Sequence, residues 1–187
     1  MTSTITTPAT TTSATTTSAT TAQWTSIPTP DGTFTVIADD AERVLASGWT
    51  DDPEYLTALV HRSIRPATLA RTDGLDALRA SVESYYAGTF SAIDDVEVRQ
   101  HSGPFLERAW PVLRTVGPGE PVSYTAFAEM SGAPTAIRGA AAACSRNAAA
   151  LFVPCHRVLR SDGSLGGFRY GLPIKRSLLV REGYRFD

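Results

Sequence analysis

The stretch from Ser123 to Arg146 leaves this chain little choice of local structure. Ser123 is a capping residue ahead of Tyr124 to Met130, Gly132 permits a turn, and Pro134 suits the first position of a second helix running to about Arg146. Together they form a helix-turn-helix pattern. The second helix is a run of small residues, Ala136-Ile137-Arg138-Gly139-Ala140-Ala141-Ala142-Ala143, with Arg138 its one long polar side chain. Such a surface approaches another body closely, and a DNA minor groove about 6 Å wide accepts it more readily than a helix lined with bulky groups. The blander reading is an alanine-rich helix packed on its neighbours with Arg138 in solvent, since helix pairs of this kind are common in proteins that never touch DNA.

What surrounds this unit extends the pattern. Pro104, Phe105, Ala109, Val112, Leu113 and Val116 predict an amphipathic helix ended by Gly117-Pro118-Gly119. After the pair come a short apolar run, Leu151-Phe152-Val153, then Pro154-Cys155-His156-Arg157-Val158. A glycine-rich loop from Asp162 to Gly171, a candidate wing, and a final helix near Ile174, Leu178 and Leu179 complete the chain. On the N-terminal side, Thr33 to Ala38 and Arg43 to Trp49 predict two strands about the turn Asp39-Asp40. Asp52-Pro53-Glu54 starts a helix carrying Leu56, Leu59, Val60 and Ile64, and Asp73 precedes another with Leu75, Leu78 and Val82. One further strand is expected at Val96 to Val98, with a domain junction between Tyr86 and Ser102. The first 22 residues are nearly all Thr, Ser, Ala and Pro, which bury too little apolar surface to offset the entropy of ordering, so a disordered tail is expected there. The organisation read from sequence is therefore a tail over 1–22, an N-terminal domain over 23–100 and a C-terminal domain over 101–187.

A net charge of −2 argues against a nucleic-acid binder until the chain is divided. Residues 1–100 hold 6 Lys and Arg against 13 Asp and Glu, whereas 101–187 hold 11 against 6, so any DNA contact belongs to the second half. Asymmetry of this size also arises by chance on solvated faces. Cys144 and Cys155 are the only cysteines, too few for a disulfide framework and without C-x-x-C spacing. With no apolar run of membrane-spanning length and no secretory-type N-terminus, the expected setting is cytoplasmic.

Cys155 follows Pro154, which fixes the local backbone, and precedes His156 and Arg157, whose polarity or charge can lower a thiol pKa from about 8.5. A more populated thiolate is a better nucleophile. The alternative is that Cys155 is a small buried hydrophobe, because adjacency in sequence does not establish a Cys–His hydrogen bond. Cys144, among alanines, reads as core. His61 and His101 have no cluster of ligand-type residues around them and read as surface or satisfied polar groups.

Ser123-Tyr124, Arg138, Asn147, Pro154-Cys155-His156-Arg157-Val158, Gly166-Gly167-Phe168-Arg169 and Glu182-Gly183 resemble, in order and spacing, the O6-alkylguanine-DNA alkyltransferases, also called methylated-DNA–protein-cysteine methyltransferases. The resemblance covers roughly 104 to 187. It implies an α+β chain: a small N-terminal antiparallel sheet of three strands with helices, and a C-terminal winged helix-turn-helix domain. It implies direct-reversal repair of O6-alkylguanine, chiefly O6-methylguanine, in double-stranded DNA, with irreversible transfer to Cys155 after base flipping. His156 and Glu182 resemble the pair that draws off the thiol proton through a water, and Tyr124 the phenol that protonates the base. Arg138 resembles the finger that fills the gap left by the extruded nucleotide, with Ala136, Gly139, Ala141 and Tyr124 beside it at the DNA. Asn147 resembles the brace between helix-turn-helix and active-site turn. Val158 and Arg169 resemble backbone contacts to the guanine, the carbonyl of Val158 accepting and the amide of Arg169 donating, and Phe168 lies in the pocket loop. No cofactor and no metal are expected, and the chain is expected to act as a monomer.

Departures from the pattern bear on pocket size. Phe168 stands where many members carry tyrosine, Gly139 where alanine is common, and Ala141-Ala142 where some have glycines. Three other classes compete. A lesion-binding relative without the acceptor is opposed by Cys155 itself. A winged-helix regulator would need side chains that read base edges, and a cysteine hydrolase an oxyanion hole.

Overall fold

In the computed structural model, which describes residues 21–186, the first half is built on a four-stranded sheet. Strands β1 (Thr21–Thr29), β2 (Gly32–Ala38) and β3 (Val44–Trp49) are antiparallel neighbours, and β4 (Thr68–Arg71) adds to β1 in parallel, giving the order β3-β2-β1-β4. β2 is buried on both faces because successive side chains alternate between two cores. Phe34, Val36 and Ala38 pack towards Leu78, Val82 and Tyr85, whereas Ile37 packs with Leu45 of β3 and Leu56. The two strands read from sequence are present within a residue of their expected ends. β1 and β4 are additions, and β4 turns the expected three-stranded antiparallel sheet into a mixed one of four. The expected disordered tail lies outside the described residues over 1–20, while Thr21 and Ala22 belong to β1.

Helix α1 (Pro53–Leu59) is capped by Asp52, whose carboxylate accepts from Tyr55 N at 3.0 Å. It stops short of the expected Ile64 because Val60 is extended. Arg65 holds that stop, donating to the carbonyls of Ala58 and Val60 at 2.9 and 3.0 Å. Helix α2 (Asp76–Tyr86) lays Leu78, Val82 and Tyr85 on the sheet. The strand expected at Val96 to Val98 reduces to a single bridge between Val98 and Val44.

The second half is the winged helix-turn-helix unit. Helix α3 (Pro104–Arg114) buries Leu106, Ala109, Trp110 and Leu113. Strand β5 (Val122–Ser123) leads into α4 (Tyr124–Met130), whose cap is Ser123 Oγ accepting from Ala126 N at 3.0 Å. Gly132, at φ +72°, makes the turn to α5 (Ile137–Ser145). Pro134 precedes that helix by three residues instead of opening it: a turn closed by Ala136 N on the Ala133 carbonyl intervenes. Strand β6 (Val158–Leu159) pairs in parallel with β5, and α6 (Leu172–Arg181) closes the chain. The halves meet along β3, where Ser47 N donates to the Ala148 carbonyl, Ala150 N to the Ser47 carbonyl, and Ser47 Oγ to the Ala150 carbonyl. No helix among the described residues is long and apolar enough to cross a membrane.

Candidate active site

Cys155 opens a single 3-10 turn, Cys155–Arg157, between the buried run Ala148 to Val153 and β6. Leu151, at φ 76°, bends that run. Buried Asn147 fixes it: Nδ2 donates to the Val153 carbonyl at 2.7 Å, and Oδ1 accepts from Ala149 N and Gln100 Nε2, each at 3.1 Å. One satisfied amide thus ties the end of α5 to the turn that carries the thiol.

Beside Cys155 lies a buried polar group of four side chains. Glu182, at the end of α6, receives His156 Nε2 at 2.8 Å on Oε1, and Arg157 through Nη2 at 2.8 Å and Nε at 3.0 Å. The Tyr85 hydroxyl of α2 donates to the same Oε1 at 2.7 Å. Arg157 Nη1 meanwhile donates to the Val116 carbonyl at 2.6 Å. An ionised carboxylate only accepts, so the neutral imidazole carries its hydrogen on Nε2 and its lone pair on Nδ1. Nδ1 is buried and has no hydrogen-bond partner among the described residues.

Charge follows from these contacts. Burial alone would raise the Glu182 carboxyl, but His156 and Arg157 overcome it and hold it at about 2. Burial keeps His156 below the ordinary imidazole range against the pull of Glu182. Burial likewise pushes the Cys155 thiol up, with the Asn147 amide and the Lys175 and Arg169 charges opposing. The resting site therefore holds a neutral thiol, a neutral imidazole and a carboxylate. This corrects the expectation that His156 and Arg157 lower the thiol pKa: Arg157 turns its charge onto Glu182, and His156 is uncharged.

A cavity of about 650 Å³ opens over Cys155, with Tyr124, Arg138, Asn147, Phe168 and Arg169 in its wall. Its volume lies in the range of small-molecule pockets. Tyr124, first residue of α4, is half-buried, and burial pushes its phenol up to about 12. Its ring leaves no free space at Gly166 of the wing, where an added Cβ would lie 3.3 Å from it. Arg138 and Ala141 are exposed on one face of α5, with Ala136 at the helix start. Gly139 is directed elsewhere: a Cβ there would come within 2.8 Å of the Phe105 ring, so this glycine admits α3. Arg169 tethers the wing to α5 through the Ser145 carbonyl. The carbonyl of Val158 already accepts from Lys175 Nζ at 2.6 Å, which leaves one lone pair for a further donor.

Tyr85, Lys175 and the anchoring role of Arg157 escape a reading of the sequence, since none is near its partner along the chain. Only the PCHRV run signalled Arg157, and as a thiol activator. Cys144, expected in the core, is half-buried and lines the same cavity as Cys155. His61 and His101 are exposed, and His101 pairs with Glu107 at 2.7 Å.

Comparison with known proteins is consistent with this geometry. The family described as 6-O-methylguanine DNA methyltransferase, DNA binding domain, matches residues 104–184. A methylated-DNA–protein-cysteine methyltransferase of Shigella flexneri is 33% identical over 160 residues, covering 84% of this chain and 94% of its own. One from Mycolicibacterium paratuberculosis is 35% identical over 127 residues, covering 66% and 76%. Among solved structures, Mycobacterium tuberculosis OGT in complex with DNA superposes with a TM-score of 0.70 at 29% identity, covering 86% of this chain and 92% of that one.

Proposed function

Because this chain belongs to the methylated-DNA–protein-cysteine methyltransferase family, we propose that it repairs O6-alkylguanine in double-stranded DNA, chiefly O6-methylguanine, by moving the alkyl group onto its own Cys155. The observation that carries the reading is a buried base, unpartnered among the described residues, in the residue that follows the nucleophile. His156 offers a buried lone pair on Nδ1 while Nε2–H is held by an ionised Glu182, in the residue next to a thiol that faces a cavity of about 650 Å³.

At rest the thiol is neutral, so attack requires that its proton leave as substrate arrives. A water between Sγ and Nδ1 passes that proton to His156, and Glu182 stabilises the imidazolium that forms. The thiolate then displaces guanine at the alkyl carbon. The S–C bond forms, the C–O6 bond breaks with its electron pair leaving on the base, and Tyr124 supplies a proton so that the base departs neutral. No cofactor enters this balance. The thioether is stable, so each molecule acts once.

A base inside the duplex does not present its alkyl carbon to a thiol, so the target nucleotide is rotated out. Arg138 fills the gap, and the small face of α5, with Ala136 and Ala141, lies in the minor groove, while Gly139 faces α3. Asn147 braces the site, and Phe168 with the backbone of Val158 and Arg169 holds the base. The division of labour goes with this reading: 23–100 supports, and 101–187, with its excess of basic residues, binds DNA and reacts. A reducing, cytoplasmic setting suits two free thiols, and a monomer suffices.

The test is intact mass and peptide mapping after mixing with a duplex carrying one O6-methylguanine. One added methyl on the Cys155 peptide with stoichiometric repair is expected, and Cys155→Ala should bind the damaged duplex without gaining mass. Tight lesion binding by the unaltered chain with no mass change would make it a recognition protein instead.

A further inference from the structure

We propose that Tyr85, a residue of the N-terminal sheet's own helix, is a positioning residue for the alkyl transfer, setting through Glu182 how readily His156 takes and keeps the thiol proton. The inference rests on the proposed transfer to Cys155. Tyr85 is fully buried in α2, 97 residues from Glu182 in sequence, and its hydroxyl donates at 2.7 Å to Oε1, the same oxygen that receives His156 Nε2 at 2.8 Å. Burial and the neighbouring carboxylate push its phenol up, so it stays a donor throughout the working range. With Arg157 Nη2 also at 2.8 Å from it, three donors compete for that one oxygen. What Tyr85 draws from Oε1 is not available to an imidazolium at His156.

Two consequences follow. The proton that leaves Cys155 halts on His156, because a carboxylate shared by Tyr85, Arg157 and His156 is a poor base. The His156 ring is also kept less basic than Glu182 alone would make it, so it remains unprotonated and able to accept near neutrality. The groups facing His156 are Glu182 and Lys175 of α6, Arg157 and Cys155 of its own turn, and Tyr85 by way of Glu182. Of these, Tyr85 is the one whose polar contact is removed by deleting a single neutral atom. The adjacent Tyr86 serves as control: its hydroxyl donates to Asp31 at 3.0 Å and accepts from Trp49 Nε1 at 2.8 Å, away from the relay.

The experiment measures the single-turnover rate of methyl transfer from damaged duplex against pH for the unaltered chain, Tyr85→Phe and Tyr86→Phe, with thermal unfolding of each. Loss of the hydroxyl strengthens the Glu182–His156 bond and raises the basicity of His156. In Tyr85→Phe the acid limb should therefore move up by about 0.5 to 1 pH unit, and the plateau rate should fall about three- to tenfold as Glu182 loses one restraint. Tyr86→Phe should lose stability without moving the limb. The limb position is independent of the fraction of active protein. Should Tyr85→Phe not fold, 3-fluorotyrosine placed at position 85 alone, a stronger donor, should move the limb down. A limb unchanged within about 0.2 unit in a folded Tyr85→Phe or in the fluorinated protein overturns the proposal. Absence of transfer by the unaltered chain would overturn the function on which it rests.

Discussion

Glu182 governs the site, because three side chains converge on it and each is buried. A carboxylate held at about 2 in the folded chain and near its ordinary 4.5 when unfolded stabilises the fold above 4.5, and that contribution is lost as pH falls towards 2. His156 acts at a higher pH. Its folded pKa lies below 6.5, so below that value the unfolded chain takes up a proton that the buried ring declines, and stability falls. Urea unfolding should therefore weaken in two stages on acidification, first below about pH 6.5 and then below about 4.5. Glu182→Gln should cost about 3 to 5 kcal/mol at pH 7, leaving Arg157 buried without its counter-charge. It should also shrink the second stage to the part contributed by Asp39, whose carboxyl is likewise held low, against its burial, by its hydrogen bonds from Arg43. A stability curve equally acid-sensitive in the variant would show that Glu182 is not the group responsible. The residues with local signatures were legible in the sequence: Ser123 as a cap, and Cys155 with His156 in one pentapeptide. Tyr85 was not, because no periodicity reports a hydrogen bond between residues 97 apart. The charge on Cys155 was misjudged for the same reason, since burial and the direction of Arg157 are properties of the fold.

At the scale of elements, α5 carries two demands on opposite sides. Outward, Arg138 and Ala141 form the face assigned to DNA. Arg138→Ala should slow transfer from duplex by at least about tenfold while leaving the reaction with a free O6-alkylguanine base within about twofold, because only the duplex requires extrusion. Equal loss on both substrates would place Arg138 in the chemistry. Inward, Gly139 makes room for Phe105 of α3, an account of that departure which α5's own sequence does not contain. Gly139→Ala would gain about 1 kcal/mol of helix propensity yet force the ring aside at about 1 to 3 kcal/mol, a net loss. A double-mutant cycle with Phe105→Leu should show coupling of at least about 1 kcal/mol in urea unfolding; additive effects would mean that the ring moves freely. β2 and β3 were legible from their apolar runs, and the two helices of the pair from Ser123, Gly132 and Pro134. The ends of helices depended on short-range backbone contacts that spacing does not report: Arg65 stops α1 early, and the Ala133–Ala136 turn delays α5. β1 stayed hidden because Ser26, Pro28 and its threonines blur the alternation that marks a strand.

The whole molecule behaves as one unit because its halves share the site. Ser47 of β3 bonds to Ala148 and Ala150, Tyr85 reaches Glu182, and the wing returns to the sheet through Tyr170, whose hydroxyl donates to the Ser47 carbonyl at 3.1 Å. Trp49 receives Phe168 and Tyr170 at ring-centroid distances of 5.9 and 5.4 Å, so the cavity wall over Cys155 is backed by the N-terminal sheet. Gly48 is the gate to this contact: a Cβ there would fall 2.0 Å from the Tyr170 ring, a separation that small shifts cannot relieve. Gly48→Ala should therefore expel Tyr170, release Phe168 and cost about 1 to 3 kcal/mol, with transfer slowed although no residue assigned to the reaction is altered. If the effect runs through Tyr170, Gly48→Ala added to Tyr170→Leu should cost little beyond Tyr170→Leu alone, in both thermal unfolding and single-turnover rate. A Gly48→Ala protein that unfolds and reacts like the unaltered chain would mean that the sheet carries the wing without shaping the pocket.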